Sequence, residues 1–391
     1  MRVGAEMADR LDALLAEDDA QRLARYPGAP AGRQPVHTVY LPGDRFTEGS
    51  VAEWGTAALA ALDEHGPLRS GVPGLAEVDG CIESLVRDKL GSEPVEDLRI
   101  DFEDGYGNLG DEREDADARA AASALARVLA DAAAPRFVGI RMKSLEAPTR
   151  RRGIRTLDLF LARLLDDAPL PDGFRVTLPK VTSVAQVRAM VELCAALERA
   201  YGIELRFELQ VETPQAILGG DGTALVAPML HAAAGRCVGL HYGTYDYSAS
   251  LGIAAAYQSM EHPSGDYAKA VMQVAAAGTG VPVCDGSTNV LPVGTGDQVR
   301  AAWALHARLV RRSLERGFYQ GWDLHPAQLP TRFAATFAFF RAGLPAAAAR
   351  LRAYREQASV GVLDEPATER ALTDFLDRAV ACGAVDPAEL P

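Results

Sequence analysis

Leu205-Arg-Phe-Glu-Leu-Gln-Val-Glu-Thr-Pro-Gln-Ala-Ile-Leu218 is the stretch on which the reading of the fold turns. Phe207, Leu209 and Val211 predict a strand that stops at Glu212. A helix is expected to open at once, with Thr213 as its cap and Pro214 at the first helical position, where a missing N–H costs nothing. A carboxylate on the last residue of a strand, just before a helix start, stands where barrel enzymes place catalytic groups. Other strands of the chain end in the same way.

With 391 residues the chain is long enough for a large core, and 48% apolar and 24% charged residues are ordinary for a soluble globular protein. A formal charge of −13 argues against a nucleic-acid partner, which needs clustered Lys and Arg, and against a membrane surface. Cys81, Cys194, Cys237, Cys284 and Cys382 lie far apart without metal-finger spacing, so reduced thiols and a cytoplasmic location are expected. No signal peptide or membrane span is predicted.

Residues 7 to about 26 predict a helix packed on the outside of the protein body, and Tyr26-Pro-Gly-Ala-Pro-Ala-Gly32 breaks it. From there short apolar runs alternate with helical stretches. The strand candidates are His37–Leu41, Leu98–Phe102, Phe137–Arg141, Phe174–Leu178, Leu205–Val211, Cys237–His241, Val281–Cys284 and Tyr319–Asp323. Eight βα units close a (β/α)8 TIM barrel. An open doubly wound sheet also fits the alternation, but no Gly-rich phosphate turn follows any strand. A Ser183-Val-Ala-Gln186 capping box is expected to start the helix over Val184–Tyr201. After Leu329-Pro330 the pattern predicts helices only, roughly 331–342, 345–357 and 366–381. The expected organisation is a helical leader (1–35), a barrel (36–330) and a C-terminal helical appendage (331–391).

In a barrel the strand ends ring one mouth. These ends carry Asp101-Phe-Glu-Asp104, Arg141-Met-Lys143, Lys180, Glu212, Asp246, Asp285 and Asp323-Leu-His-Pro326. Carboxylates without His or Cys companions suit a hard cation such as Mg²⁺, with Mn²⁺ as the alternative. Beside an arginine, such an ion suits stabilisation of an enolate. Any one of these acids taken alone reads first as a helix cap or a solvated loop charge; Glu212 and Asp246 together favour the cation.

The ordered motifs resemble the citrate-lyase β-subunit and malyl-CoA lyase group of the HpcH/HpaI aldolase superfamily. Tyr40-Leu-Pro-Gly-Asp-Arg45 resembles its opening strand and Asp101-Phe-Glu-Asp104 its acidic second-strand motif. Arg141 resembles its third-strand arginine, and Leu178-Pro-Lys-Val181 its fourth strand. Val211-Glu-Thr213 matches the Glu-Thr turn, and Tyr242-Gly-Thr-Tyr-Asp-Tyr-Ser-Ala-Ser-Leu-Gly252 the segment after the sixth strand. Val281-Pro-Val-Cys-Asp285 matches the seventh strand, and Gly321-Trp-Asp-Leu-His-Pro-Ala-Gln328 the His-Pro-x-Gln signature.

The resemblance implies that Glu212 and Asp246 bind Mg²⁺ and that Arg141 holds the carboxylate and enolate oxygen of a small acid. Backbone amides near Asp246, at Gly243 and Thr244, would complete that oxyanion site. Asp44, Arg45, Glu103 and Asp104 would line the pocket or orient ligands, with Asp101 structural. Lys180 is expected to act electrostatically rather than as a Schiff base. His325 is expected to fix its loop near a thioester-bearing arm.

One departure stands out. The Asp-Gly-x-Met lid of these lyases is missing; the nearest stretch, Val360-Gly-Val-Leu-Asp364, keeps only Asp364, whose expected task is to cap the helix begun by Pro366. The general base is therefore unassigned. Three segments look atypical for the short lyases: the leader helix, the 260–264 loop and 293–296. The run Arg150-Arg-Arg-Gly-Ile-Arg155 reads either as a contact for coenzyme A phosphates or as a solvated face.

The expectation is a homo-oligomeric, Mg²⁺-dependent carbon–carbon lyase or aldolase acting on a 3-hydroxy acid or its CoA thioester. The alternatives are thioester hydrolysis or condensation on the same scaffold, and a non-catalytic metabolite-binding barrel.

Overall fold

A computed structural model of the chain describes residues 4–71, 75, 78–356 and 365–390. Its strands are β1 (His37–Pro42), β2 (Asp97–Asp101), β3 (Phe137–Arg141), β4 (Phe174–Leu178), β5 (Phe207–Val211), β6 (Cys237–Tyr242), β7 (Val283–Cys284) and β8 (Gly321–Asp323). The helices begin with α1 (Ala5–Arg25), α2 (Ser50–His65), α3 (Leu68–Gly71), α4 (Gly80–Ser92), α5 (Asp111–Leu129), α6 (Arg150–Asp167) and α7 (Val184–Tyr201). They continue with α8 (Pro214–Ile217), α9 (Val226–Ala232), α10 (Thr244–Ser250), α11 (Pro263–Ala276), α12 (Gly296–Glu315), α13 (Leu329–Arg355) and α14 (Pro366–Ala381).

The strands form one parallel sheet in the order β7-β6-β5-β4-β3-β2-β1-β8. Closure comes from backbone bonds between its edges: the Asp285 N–H donates to the Gln320 carbonyl at 2.8 Å, and the Trp322 N–H to the Gly286 carbonyl at 3.2 Å. The fold is a (β/α)8 barrel.

Alternation along the strands explains the layering. Side chains two apart share a face of a strand. In β5 and the residue after it, Phe207, Leu209 and Val211 face the helices, where they join the buried cluster with Val187, Met190 and Leu230. Glu208, Gln210 and Glu212 face the barrel axis. β2 repeats the pattern, with Leu98 and Ile100 outward and Asp97, Arg99 and Asp101 inward. The lower barrel is therefore polar. Arg99, fully buried, donates to Glu208 through Nε at 3.0 Å and Nη2 at 2.7 Å and also meets Asp97. Thr177 Oγ1 and His241 Nε2 complete the shell of Glu208 at 2.6 and 3.2 Å. A buried charge network of this kind is tolerable because the charges of Arg99, Asp97 and Glu208 satisfy one another.

The start of α7 differs slightly from expectation. Ser183 caps it by accepting from the Gln186 N–H, but the Gln186 side chain reaches back to the Thr182 N–H at 2.7 Å rather than closing a box with Ser183.

The C-terminal region differs more. The two helices expected over 331–342 and 345–357 are one, α13, which runs through Pro345. A proline removes only one bond of the ladder, and both halves of this helix are held by packing. Phe333, Phe337 and Phe340 enter the cluster with Trp303 and Leu90, while Ala347 and Leu351 pack with Leu372 and Leu376 of α14. α13 comes after β8 and lies against α12 and α4, in the place of an eighth outer helix.

The leader helix forms as expected, but it does not pack on the body. None of its residues is buried, and Leu11, Leu14, Leu15 and Leu23 are all exposed. Contact is confined to its last residues and the connector beyond: Ala24 and Arg25 border a cavity at the strand starts, the Tyr26 ring meets His231 edge-on and Gly28 bridges to Thr279. Among the described residues, no helix is long and apolar enough to cross a membrane.

Candidate active site

Glu212 comes directly after the last residue of β5, and the turn forms as the sequence predicts. Thr213 Oγ1 accepts from the Ala216 N–H and donates to the Val181 carbonyl at 2.6 Å, with Pro214 at the helix start. The turn leaves the Glu212 carboxylate buried at the mouth. Oε1 accepts from the Lys180 N–H at 2.8 Å, and Oε2 accepts from Gln210 Nε2. Burial, helped by the nearby Asp246 and Glu103 carboxylates, pushes Glu212 up to about 8 against the opposing charge of Lys180.

Gly243, after β6, brings α10 against this carboxylate. A Cβ there would overlap the Glu212 side chain, so only glycine allows the approach. Asp246 lies in the first turn of α10, partly exposed, and Thr244 is buried beside it.

Lys180 stands at the centre. Its ammonium lies 2.7 Å from Glu103 Oε1, 2.8 Å from Asp104 Oδ2 and 3.0 Å from Asp246 Oδ2. Burial works against its charge, but Glu212 and Glu103 hold the ammonium well above its ordinary value. Its backbone is left-handed, with φ 51°, a conformation that costs an L residue about 1–2 kcal/mol. Burial raises Glu103 to about 7, with Arg141 and Lys180 opposing the rise and Asp104 adding to it. Asp104, although desolvated, is held below its ordinary value by Lys180.

Arg141, at the end of β3, is fixed by a two-pronged bond to Asp101, with Nε and Nη2 each 2.6 Å from a carboxylate oxygen. Its plane lies over the Tyr40 ring at 4.7 Å. Nη1 is left toward the mouth, 3.5 Å from Glu103 Oε2 and from Gln210 Oε1. Asp101 also accepts from the Glu103 and Gly105 N–H groups, so it fixes the acidic turn as well as the arginine.

Arg141, Glu103, Asp104, Lys180, Glu212, Asp246, Gly243 and Thr244 thus form one contiguous group. Asp44 lies in the turn after β1, and Arg45 is 76% exposed with its Nε 3.8 Å from Asp44. His325 caps the short turn over Pro326–Gln328, accepting from the Ala327 N–H at 3.2 Å through Nδ1. Asp364 lies outside the described residues.

Three expected members of the ring are engaged elsewhere. Asp285 is buried among Lys269 and Ser313 of the outer helices, and Asp323 among His37, His306 and Arg332. Lys143 donates to the Phe102 and Gly107 carbonyls and pairs with Glu114, so it holds the loop after β2. An end-of-strand position alone does not say which way a side chain turns. The run 150–155 is likewise committed in part, since Arg152 and Arg155 both meet Asp115. Gln210, which touches both Glu212 and Arg141, escaped the sequence reading; its place two residues before Glu212, on the same strand face, was the available signal.

The donor set of Glu212 and Asp246 fits a hard divalent cation, which commonly takes one or two carboxylates and fills its shell with water and substrate oxygens. Glu212 is also a buried carboxylate short of positive charge. Among the described residues, no group of three or more His, Cys, Asp or Glu side chains is arranged to hold a metal.

A sequence model of the family described as a domain of unknown function, DUF6986, matches residues 15–391. The chain belongs to that family. No curated protein matches this DUF6986 member. Among solved structures, a citrate lyase from Burkholderia xenovorans LB400 aligns with a TM-score of 0.61 at 21% identity, over 92% of this chain and 95% of that one. The protein CitE of Mycobacterium tuberculosis, in complex with magnesium, acetoacetate and coenzyme A, aligns at 0.51 and 18%, over 90% and 98%. A Haloferax volcanii malate synthase aligns at 0.50 and 14%, over 92% and 99%. At these identities the likeness shows that the DUF6986 chain shares the barrel fold of citrate lyase and malate synthase structures.

Proposed function

We propose that this chain is a Mg²⁺-dependent carbon–carbon lyase or aldolase that acts on a small 3-hydroxy acid or its CoA thioester through an enolate. The observation that carries the reading is the convergence of Glu212 and Asp246, from consecutive βα turns, on a mouth that also presents Arg141. Mn²⁺ is the alternative ion. CitE, of the same fold, was crystallised with magnesium, acetoacetate and coenzyme A, which supports the choice of ion and ligand class.

Glu212 and Asp246 would hold the ion, whose contribution is to withdraw charge from the substrate oxygens. Arg141, immobilised by Asp101, directs Nη1 at the acid and adds charge where the enolate develops. Of the two amides expected to complete that oxyanion site, the Gly243 N–H is spent on the Val211 carbonyl at 3.0 Å, which leaves the Thr244 amide, at the start of α10, for that task. Glu103 is the proton carrier: with its carboxyl near 7, it both accepts and returns a proton at neutral pH. Lys180 positions Glu103, Asp104 and Asp246. Asp44 and Arg45 border the entrance, and His325 holds the turn beside it.

A cytoplasmic site of action agrees with five free cysteines. A homo-oligomer would cover the exposed leucines of α1.

Calorimetric titration with Mg²⁺ in the presence of oxaloacetate, pyruvate, glyoxylate or acetyl-CoA tests the site. Metal-dependent binding of one of these acids, lost in Glu212→Gln and Asp246→Asn with folding intact, is the expected result. Full turnover in either variant refutes the scheme. Product analysis separates the rivals: free CoA without carbon–carbon cleavage indicates thioester hydrolysis or condensation, and absence of metal binding indicates a non-catalytic barrel.

A further inference from the structure

The opposite end of the barrel carries a second concentration of charge. A cavity of about 820 Å³ lies between the connector after α1 and the starts of β4 to β7. Its lining includes Arg25, Arg33, Arg175, Arg206 and His231, and no Asp or Glu. In a chain of net charge −13, such a lining is unusual. Arg33 is committed to Glu93 and Glu96. Among the described residues, Arg25, Arg175 and Arg206 have no ion-pair partner.

Arg175 and Arg206 are neighbours by construction. Val176 of β4 is in register with Phe207 of β5, and the Val176 N–H donates to the Arg206 carbonyl at 3.0 Å. The two arginines immediately before them therefore start adjacent strands side by side. Like charges placed opposite one another destabilise a sheet, and a cation withdrawn from water needs a partner. Arg175 forms no direct ion pair among the described residues; its guanidinium carbon lies 4.3 Å from the Phe137 ring, and the carboxylates of Asp97 and Glu208 act on it only through space. Burial lowers its affinity for its proton; the charges of Asp97 and Glu208 oppose that, and those of Arg99 and, least, Arg206 add to it. The next arginine along the strand starts, Arg236, shows the contrast: it is neutralised by Glu198. Arg175 and Arg206 also line an adjoining hollow of about 670 Å³, whose lining includes Asp172 and Glu204, so one groove runs past both arginines.

We propose that this groove, at the end of the barrel away from Glu212, binds a phosphate-bearing small anion. Arg175 and Arg206 grip its phosphate oxygens, Arg25 closes on it from the end of α1, and the cavity leaves room for an organic body. The anion removes the repulsion between the two guanidiniums and supplies the partner that Arg175 lacks.

Titration calorimetry of the full chain with inorganic pyrophosphate tests the site, with citrate as the carboxylate counterpart. Arg206 is exposed, so Arg206→Gln leaves the fold intact; Arg175→Gln removes the second grip. Saturable binding of pyrophosphate, weakened at least tenfold by Arg206→Gln and unchanged by Glu212→Gln, is expected. Absence of saturable binding, or binding indifferent to Arg206→Gln, overturns the proposal. Binding lost in Glu212→Gln instead locates the anion at the mouth and overturns it too. Citrate binding more tightly than pyrophosphate at the same arginines overturns the phosphate assignment.

Discussion

The backbone N–H of Lys180 donates to Glu212 Oε1 at 2.8 Å, while the ammonium of the same residue lies 3.0 Å from Asp246 Oδ2. One residue thus holds both carboxylates proposed as metal ligands. Its left-handed backbone is what allows the amide to meet one acid and the side chain the others.

Lys180→Met removes the positive charge from the middle of Glu103, Asp104 and Asp246. Lys180 is partly exposed, so the loss of stability without metal is expected at roughly 1–3 kcal/mol, below that of a fully buried pair. Because a divalent cation then relieves the repulsion, Mg²⁺ is expected to raise the melting temperature of the variant more than that of the wild type. Melting curves with and without Mg²⁺ check this; equal shifts in the two proteins contradict the placement of Lys180.

Gly243→Ala puts a methyl group into the Glu212 side chain. Forcing α10 away from β5 is expected to cost about 1–3 kcal/mol and to separate Glu212 from Asp246. Metal-dependent ligand binding should fall by more than tenfold, measured by the same calorimetry. A Gly80→Ala control, where a Cβ meets nothing within 4 Å, should leave binding unchanged.

Asp323 gives a prediction in acid. Burial alone would raise it, but Arg332, His306 and His37 hold it well below the ordinary 3.8. With a folded-state value lower than the unfolded one, its contribution is complete above the unfolded value and is lost as pH falls toward the folded one. Denaturant unfolding from pH 6 to pH 3 should show wild-type stability falling in the acid part of that range. Asp323→Asn should start lower, by about 3–5 kcal/mol, and lose less over the same range.

His325 acts as a cap, accepting the Ala327 N–H. His325→Asn, which retains a capping side chain, should keep near wild-type stability, whereas His325→Ala should lose about 1 kcal/mol. Turnover that collapses in His325→Asn with stability intact would instead make the ring a participant in the reaction.

The local sequence determined a good deal of this protein. Phe137–Arg141, Phe174–Leu178 and Val184–Tyr201 form as their periodicity predicts, because alternation and capping are properties of residues within one turn of each other. The same holds for the strand, cap and proline that set Glu212 at a barrel rim. Tertiary structure decided which charged ends share the mouth. Asp285 and Asp323 sit at strand ends as Glu212 does, yet each is drawn outward by cations on surrounding helices, Lys269 for one and Arg332 for the other. It also decided that Lys180 joins acids from three other βα turns, that Pro345 does not end α13, and that α1 stands uncovered. The reason is common to all of them. A side chain's direction and charge partner depend on groups tens to hundreds of residues away, and only closure of the barrel brings those groups within reach of a hydrogen bond.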